Sequence, residues 1–256
     1  MQPGVVPGAV VELHAGKALS GTGPQVNSPL GTQWFDTSNN DHHGTLIGFD
    51  GESPWVGTGT PADPYRLVFS SAAPGDYAQT AGFAQTSAQF TIDAWIYQGD
   101  AVDNRTIMAH GAINVDGWFL VAHTSYPYFL LCRAGAYEGI ALPPGACPLA
   151  TAQGHFTFVF DISAKTMQPY RSGAAVGGPI SFANTMVLPG ATRRFELANR
   201  VATSLWDGAL SVVRYYPFAL SAAQVAQNYN AGPLWTPARN LPVIGSPIVK
   251  GIGGTP

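Results

Sequence analysis

The chain has 256 residues, of which only 11% are charged, with 30 glycines, 21 prolines and a formal net charge of −3. No row of cations can neutralise a line of phosphates, and no apolar run approaches the roughly 20 residues of a bilayer-spanning helix, so neither nucleic acid binding nor membrane insertion is expected. Length and the abundance of turn residues predict one main all-β domain whose loops are shaped by glycine and proline.

From the N-terminus, residues 5–13 read as an extended entry strand and 16–31 as loop. Residues 33–48 carry Trp34 and Phe35, then the polar turn Asp36-Thr37-Ser38-Asn39-Asn40-Asp41, then the apolar Thr45-Leu46-Ile47. The pattern is strand, liganding-type loop, strand. Asp36, Asn39, Asn40 and Asp41 are clustered hard oxygen donors, the type Ca2+ requires, and are the candidate calcium ligands; the competing reading is that such Asx oxygens bond their own backbone. Residues 51–64 are surface loop by composition, and strands resume over 65–70 and 77–81.

The most informative stretch is Phe90-Thr91-Ile92-Asp93-Ala94-Trp95-Ile96-Tyr97. Phe90, Ile92, Ala94 and Ile96 fall on one face of a strand and Thr91, Asp93, Trp95 and Tyr97 on the other. Such a strand needs a second sheet above its apolar face. Short β-type runs follow over 106–109, 117–123, 128–133, 156–161, 168–171, 195–198 and 209–216. In the fourth of these Phe156, Phe158 and Phe160 share a face, which marks a central core strand. Trp55, Trp118, Tyr126, Tyr128 and Tyr137 lie in or near predicted loops and are the candidate platforms for stacking a sugar, against the general tendency of tryptophan to be buried. Cys132 and Cys147 have no Cys/His spacing around them and do not form a zinc site; a pair of thiols is expected, and a disulfide only in an oxidising compartment with the two Cα atoms within reach.

Ser221 and Gln224 form a capping box that opens a short helix over 222–230, which Gly232-Pro233 stops. Beyond it, Leu241, Ile244, Ile248, Val249 and Ile252 are separated by prolines and glycines. A segment of that composition cannot build a core and is expected to order by docking on a neighbouring subunit. The expected division is a sandwich over 1–232 and an extended arm over 233–256.

The order of these pieces resembles the laminin-G-like jelly roll of the concanavalin A-like lectin/glucanase superfamily. Trp34-Phe35-Asp36-Thr37-Ser38 through Gly44-Thr45-Leu46 is similar to that family's W-x-D-x-S opening, and Phe90 to Tyr97 to its F-T-i-x-a-W strand. His155 to Asp161, followed by Tyr170-Arg171-Ser172-Gly173, is similar to its H-v-a-x-x-y-D strand and Y-v-N-G hairpin. The stretch Trp206-Asp207-Gly208-Ala209-Leu210-Ser211-Val212-Val213-Arg214-Tyr215-Tyr216 resembles its closing strand. The resemblance implies a two-sheet antiparallel jelly-roll sandwich and a calcium near the Asp36 loop. Two departures are Ser211-Val212, where the family has an acidic pair, and Ser172, where it has a hairpin asparagine.

Glycosidases of that superfamily place paired carboxylates on one strand. The only glutamates here are Glu12, Glu52, Glu138 and Glu196, none with an acidic neighbour at the alternate strand position. No G-x-S-x-G, P-loop or H-E-x-x-H motif is present. An enzyme is therefore not expected. The expected function is a structural or interaction protein displayed on a virus particle, a bacteriophage capsid decoration or tail component with glycan-binding capacity. The alternative is a carbohydrate-binding module or lectin assisted by calcium. The expected partners are other virion proteins, further copies of the chain as a trimer, and cell-surface glycan. Met1-Gln2-Pro3-Gly4 lacks the pattern of a secretory signal, so synthesis in a host cytoplasm and residence on the virion surface are expected.

Overall fold

The computed structural model describes residues 4–16, 33–49, 55–72, 75–97, 104–123, 127–143, 154–199 and 205–234. The strands in chain order are β1 (Val11–His14), β2 (Gln33–Trp34), β3 (Gly44–Ile47), β4 (Trp55–Val56), β5 (Arg66–Phe69), β6 (Tyr77–Gln79), β7 (Gln89–Tyr97), β8 (Arg105–Ala112) and β9 (Asp116–Ala122). They continue as β10 (Tyr128–Arg133), β11 (Ala136–Ala141), β12 (Gly154–Asp161), β13 (Thr166–Arg171), β14 (Ala174–Ala175), β15 (Ile180–Ser181), β16 (Phe195–Leu197) and β17 (Gly208–Tyr216), followed by helix α1 (Ala222–Ala231). All pairings are antiparallel. One sheet runs β14-β13-β12-β7-β17-β5-β4, with β1 also on β17 and β15 on β13; the other runs β11-β10-β9-β8-β16-β6-β3-β2. The chain is thus the predicted two-sheet antiparallel sandwich with one short C-terminal helix.

Alternation in the central strands builds the core. Phe90, Ile92, Ala94 and Ile96 of β7 and Phe156, Phe158 and Phe160 of β12 face the second sheet and meet Trp118, Leu120, Phe129 and Leu131 from β9 and β10. Phe90 stacks on Phe160 at 4.6 Å, and Phe129 meets Phe158 edge-on at 4.8 Å. Each such side chain contributes about 1.5–3 kcal/mol on burial. The β8–β9 hairpin needs glycine at Gly117, whose φ is 83° and where a Cβ would lie 1.9 Å from the His110 carbonyl oxygen.

The first sheet is covered on its outer face as well. Val6, Ala9, Tyr170, Tyr216, Leu220 and Val225 form a second apolar cluster there, joining the N-terminal segment and α1 to β13 and β17. Asn228 fixes this lid. Its Oδ1 accepts from the Val6 N–H at 2.9 Å and its amide nitrogen donates to the Tyr216 hydroxyl at 3.1 Å. The predicted entry strand over 5–13 therefore begins only at Val11: Gly4 and Gly8 take positive φ, and the segment between them folds across the sheet instead of pairing with it. The helix opens on the predicted capping box and ends one residue later than expected, at Ala231.

Candidate functional site

A buried polar row crosses the outer face of the first sheet under this lid. The register pairs Glu12 with Arg214, Arg214 with Asp93, and Asp93 with Thr157, so the four side chains stand side by side on β1, β17, β7 and β12. Arg214 Nε donates to Glu12 Oε1 at 3.1 Å, its Nη1 to Asp93 Oδ2 at 3.0 Å, and Thr157 Oγ1 to Asp93 Oδ1 at 2.7 Å. His155, two residues along β12, brings Nε2 to 2.7 Å from Asp93 Oδ1, although neither ring nitrogen makes an aligned hydrogen bond. Burial alone would raise Asp93. The charges of His155 and Arg214 and the hydrogen bonds to its carboxylate outweigh that and hold it well below the usual carboxylate range.

At its far end the row leads to an aromatic cleft. Trp95 and Tyr97 follow Asp93 on the same face of β7. Trp95 stacks on Tyr229 of α1 with centroids 5.9 Å apart and planes 15° apart, and touches the His155 ring at 5.4 Å. Arg66 lies over the Tyr97 ring, 5.6 Å from its centroid, and is itself held by Asp63 at 2.7 Å. Trp95, Tyr97, Tyr229, Pro61, Pro64 and Asn230 wall a cavity of about 600 Å³. Trp95 is left half-buried beside the last turn of α1, whose Tyr229, Asn230 and Ala231 share the cavity wall with it, whereas Thr91 is capped by the segment before the helix, its Oγ1 donating to the Phe218 carbonyl and accepting from the Leu220 N–H. Burial pushes the Tyr97 phenol far up, partly opposed by Arg66, so Tyr97 stays a neutral donor. The last turn of α1 adds carbonyl oxygens without intrahelical partners, of which the Tyr229 carbonyl accepts from Gly232 at 2.9 Å.

The sequence reading missed Trp95, Tyr97 and Tyr229 as a site. The alternation places Trp95 and Tyr97 on the face opposite the core, and Gly232-Pro233 marks the end of the helix, but no sequence signal says which outer face the helix packs on.

The residues singled out by sequence sit as follows. Asp36 makes the calcium reading a poor fit. Its Oδ1 accepts from the N–H groups of Glu12 and Ser38, and its Oδ2 from Ser38 Oγ and the His42 N–H, all within 2.7–2.9 Å. A carboxylate has about four lone-pair sites, and here backbone and hydroxyl donors take all of them. Asn40 donates to the carbonyls of Ala9 and Val10, and the exposed Asn39 and Asp41 take positive φ to turn the chain. The loop staples β2 and β3 to β1, and among the described residues no three His, Cys, Asp or Glu side chains converge as a metal site would require.

Trp55 and Trp118 are corrected from sugar platforms to core. They are 4% and 0% exposed and lie on the inner faces of β4 and β9, where strand alternation turns them to the opposite sheet. Tyr128 and Tyr137 lie on the outer face of the second sheet, on adjacent strands, because Tyr128 pairs with Ala141 and Cys132 with Tyr137. Tyr137 is 52% exposed. Tyr126, Cys147 and the arm residues Leu241, Ile244, Ile248, Val249 and Ile252 lie outside the described residues. Cys132 is buried on β10. Where the family's acidic pair is absent, a bulge between Leu210 and Val212 lets Ser211 Oγ donate to the Tyr65 carbonyl at 2.6 Å.

The family model described as the concanavalin A-like lectin/glucanases superfamily matches residues 70–226, more than half of the chain. The chain belongs to that superfamily. The matched span begins just after β5 and ends within α1, so this member of the superfamily carries the aromatic strand β7 and the first half of α1 inside the matched region, with Tyr229 beyond it. No curated protein sequence matches the chain. Among solved structures, the binding domain of botulinum neurotoxin DC, in complex with rat synaptotagmin II, superposes with a TM-score of 0.62 at 13% identity, covering 88% of this chain and 51% of that one. A botulinum neurotoxin type C structure, titled for its dependence on two ganglioside molecules for cell entry, gives 0.58 at 13% identity over 88% and 51%. Domain 4 of AbnA, a GH43 extracellular arabinanase from Geobacillus stearothermophilus, in complex with arabinotriose, gives 0.58 at 14% identity and covers 87% of this chain and 98% of that one. At these identities the likeness is one of fold, and this superfamily member spans about half the length of the toxin binding domains.

Proposed function

We propose that the chain is a non-enzymatic recognition domain that binds carbohydrate in the cleft of Trp95, Tyr97 and Tyr229. The observation that carries this reading is the stacked, half-exposed aromatic pair beside a cavity of about 600 Å³, within the roughly 300–1,000 Å³ of ligand pockets. Sugar rings present flat C–H faces that aromatic planes bind, while their hydroxyls pair with Asn230 and the carbonyls at the end of α1. Among the described residues no Asp or Glu lines the cleft, so these residues offer neither an acid nor a nucleophile for glycoside cleavage. Two of the three glutamates among the described residues are engaged elsewhere: Glu12 pairs with Arg214, and Glu138 accepts the N–H groups of Ala183 and Asn184. The solved binding domains and the arabinotriose-bound module of the same fold support the reading.

A glycan array probed with the full chain is expected to select a short oligosaccharide, with Trp95→Ala weakening it at least about tenfold while the circular dichroism spectrum is kept. A featureless array, or undiminished binding by the variant, sinks the reading.

The setting we propose is the exterior of a virus particle, a bacteriophage capsid or tail, with residues 235–256 lying on a neighbouring subunit of a homotrimer or on another virion protein. The composition of the arm supports this: its apolar residues gain burial only against another chain. Removing residues 234–256 is expected to leave the sandwich folded and to abolish oligomerisation in sedimentation velocity, or attachment to the particle. Unchanged assembly of the truncated chain counts against the arm.

A further inference from the structure

We infer that a hollow on the outer face of the second sheet, between Tyr128, Asn104, His123, Gly139 and Ala141, is a second and separate site that takes a single neutral sugar ring. Strand register creates it. Tyr128 of β10 pairs with Ala141 of the edge strand β11, and Leu130 with Gly139, so beside the one large ring the neighbouring strand raises only a methyl group and a hydrogen. The space left is about 320 Å³, at the small end of ligand pockets, and suits one ring rather than a chain.

The ring is held in place before any ligand arrives. The Tyr128 hydroxyl donates to Asn104 Oδ1 at 2.7 Å, and the His123 ring meets Tyr128 edge-on at 6.0 Å and 69°. Preorganisation of this kind lowers the entropic cost of binding. Anchoring its oxygen leaves the Asn104 amide nitrogen as a hydrogen-bond donor for a hydroxyl. Among the described residues no lysine or arginine lines the hollow, so these supply no cation to pair with a uronate or a sialic acid carboxylate, and the ligand they suit is a neutral sugar. The exposed Tyr137 stands two residues before Gly139 on the same face of β11 and borders the hollow along the strand. The ligand class rests on the carbohydrate-binding reading proposed above; the hollow itself does not. Because Trp95 lies on the outer face of the other sheet, the two sites face opposite ways, and one domain can join two glycans.

The test is saturation-transfer NMR and titration of the full chain with methyl glycosides of neutral hexoses and N-acetylhexosamines, with N-acetylneuraminic acid as the anionic comparator. At least one neutral glycoside is expected to bind at millimolar concentration. Gly139→Leu is expected to remove that binding by filling the hollow; the fold tolerates it because a Cβ there meets nothing nearer than Leu130 Cδ2 at 4.0 Å. Tyr128→Phe, which frees the ring from Asn104 and keeps its volume, is expected to weaken binding about tenfold. Trp95→Ala is expected to leave it unchanged, which separates this site from the cleft: loss in Trp95→Ala with retention in Gly139→Leu, equal binding of the anionic sugar, or no binding by any neutral glycoside each overturns the assignment. Loss of oligosaccharide binding in the cleft would leave the result for the hollow intact.

Discussion

Replacing Arg214 with methionine is expected to destabilise the chain by about 3–5 kcal/mol, measured by urea unfolding at pH 7. Arg214 is 0% exposed and sits between two carboxylates, Glu12 and Asp93, that are 1% and 0% exposed. Methionine fills much of the volume but supplies no charge, so both acids are left buried without their cation. The cost is the desolvation of two orphaned charges more than the loss of two hydrogen bonds. A control separates these terms. In the triple variant Arg214→Met, Glu12→Leu, Asp93→Val the three charges are removed together, and much of the lost stability is expected to return, less the cost of leaving Thr157 and His155 without the Asp93 carboxylate. If the single variant is as stable as the parent, the row is not the electrostatic unit described; if the triple variant is no better than the single one, the penalty lies in packing. The same row sets an acid limit. Asp93 is held below its ordinary 3.8, so its contribution is fully present above that value and is lost as pH falls through the lower, folded-state range.

The sequence carried the sandwich because period-two patterns report a buried face directly. Phe90 to Ile96 and Phe156 to Phe160 are core as read, and the capping box at Ser221 and Gln224 marks the start of the helix. What it could not carry is which outward faces acquire a third layer. Thr91, Asp93 and Arg214 look like solvent-facing positions of a two-layer sandwich, yet they are buried because the N-terminal segment and α1 lie over them. The Asp36 loop left two readings open for a related reason: clustered oxygens look the same in sequence whether they face a cation or the chain's own N–H groups, and the structure has Asp36 accepting from the N–H groups of Glu12, Ser38 and His42. Trp55 and Trp118 were placed near loops because β4 is only two residues long and β9 follows a tight glycine turn. The edge strand β11 was not anticipated, since Ala136, Glu138, Gly139 and Ala141 carry little β signal, and the small residues Gly139 and Ala141 are what open the hollow beside Tyr128.

A second large effect is expected from pH. His110 is 0% exposed between Phe83, Phe195 and Tyr215, with ring centroids 4.3, 6.3 and 6.0 Å away, and its Nε2 lies 3.1 Å from the Phe83 carbonyl oxygen. Burial pulls its pKa down to about 4, overcoming the carbonyls of Phe83 and Arg193 and the charge of Asp116, which favour the imidazolium; His42 adds slightly to the depression. The unfolded chain titrates this group near 6.5. Between those values the unfolded state binds a proton that the folded state refuses, so stability rises with pH across the window and falls on acidification. The fall begins below about pH 6.5, amounts to about 3 kcal/mol and levels off near pH 4, before the Asp93 window opens. Urea unfolding at half-unit steps from pH 4 to 8 measures it in the parent and in His110→Gln, which keeps an N–H donor for the Phe83 carbonyl but cannot titrate. The difference between the two profiles isolates one group from the other buried histidines. A slope that persists unchanged in the variant assigns the acid sensitivity elsewhere, whereas its loss between pH 4 and 6.5 shows that a neutral imidazole at the centre of the aromatic core ties the stability of the sandwich to the pH around it.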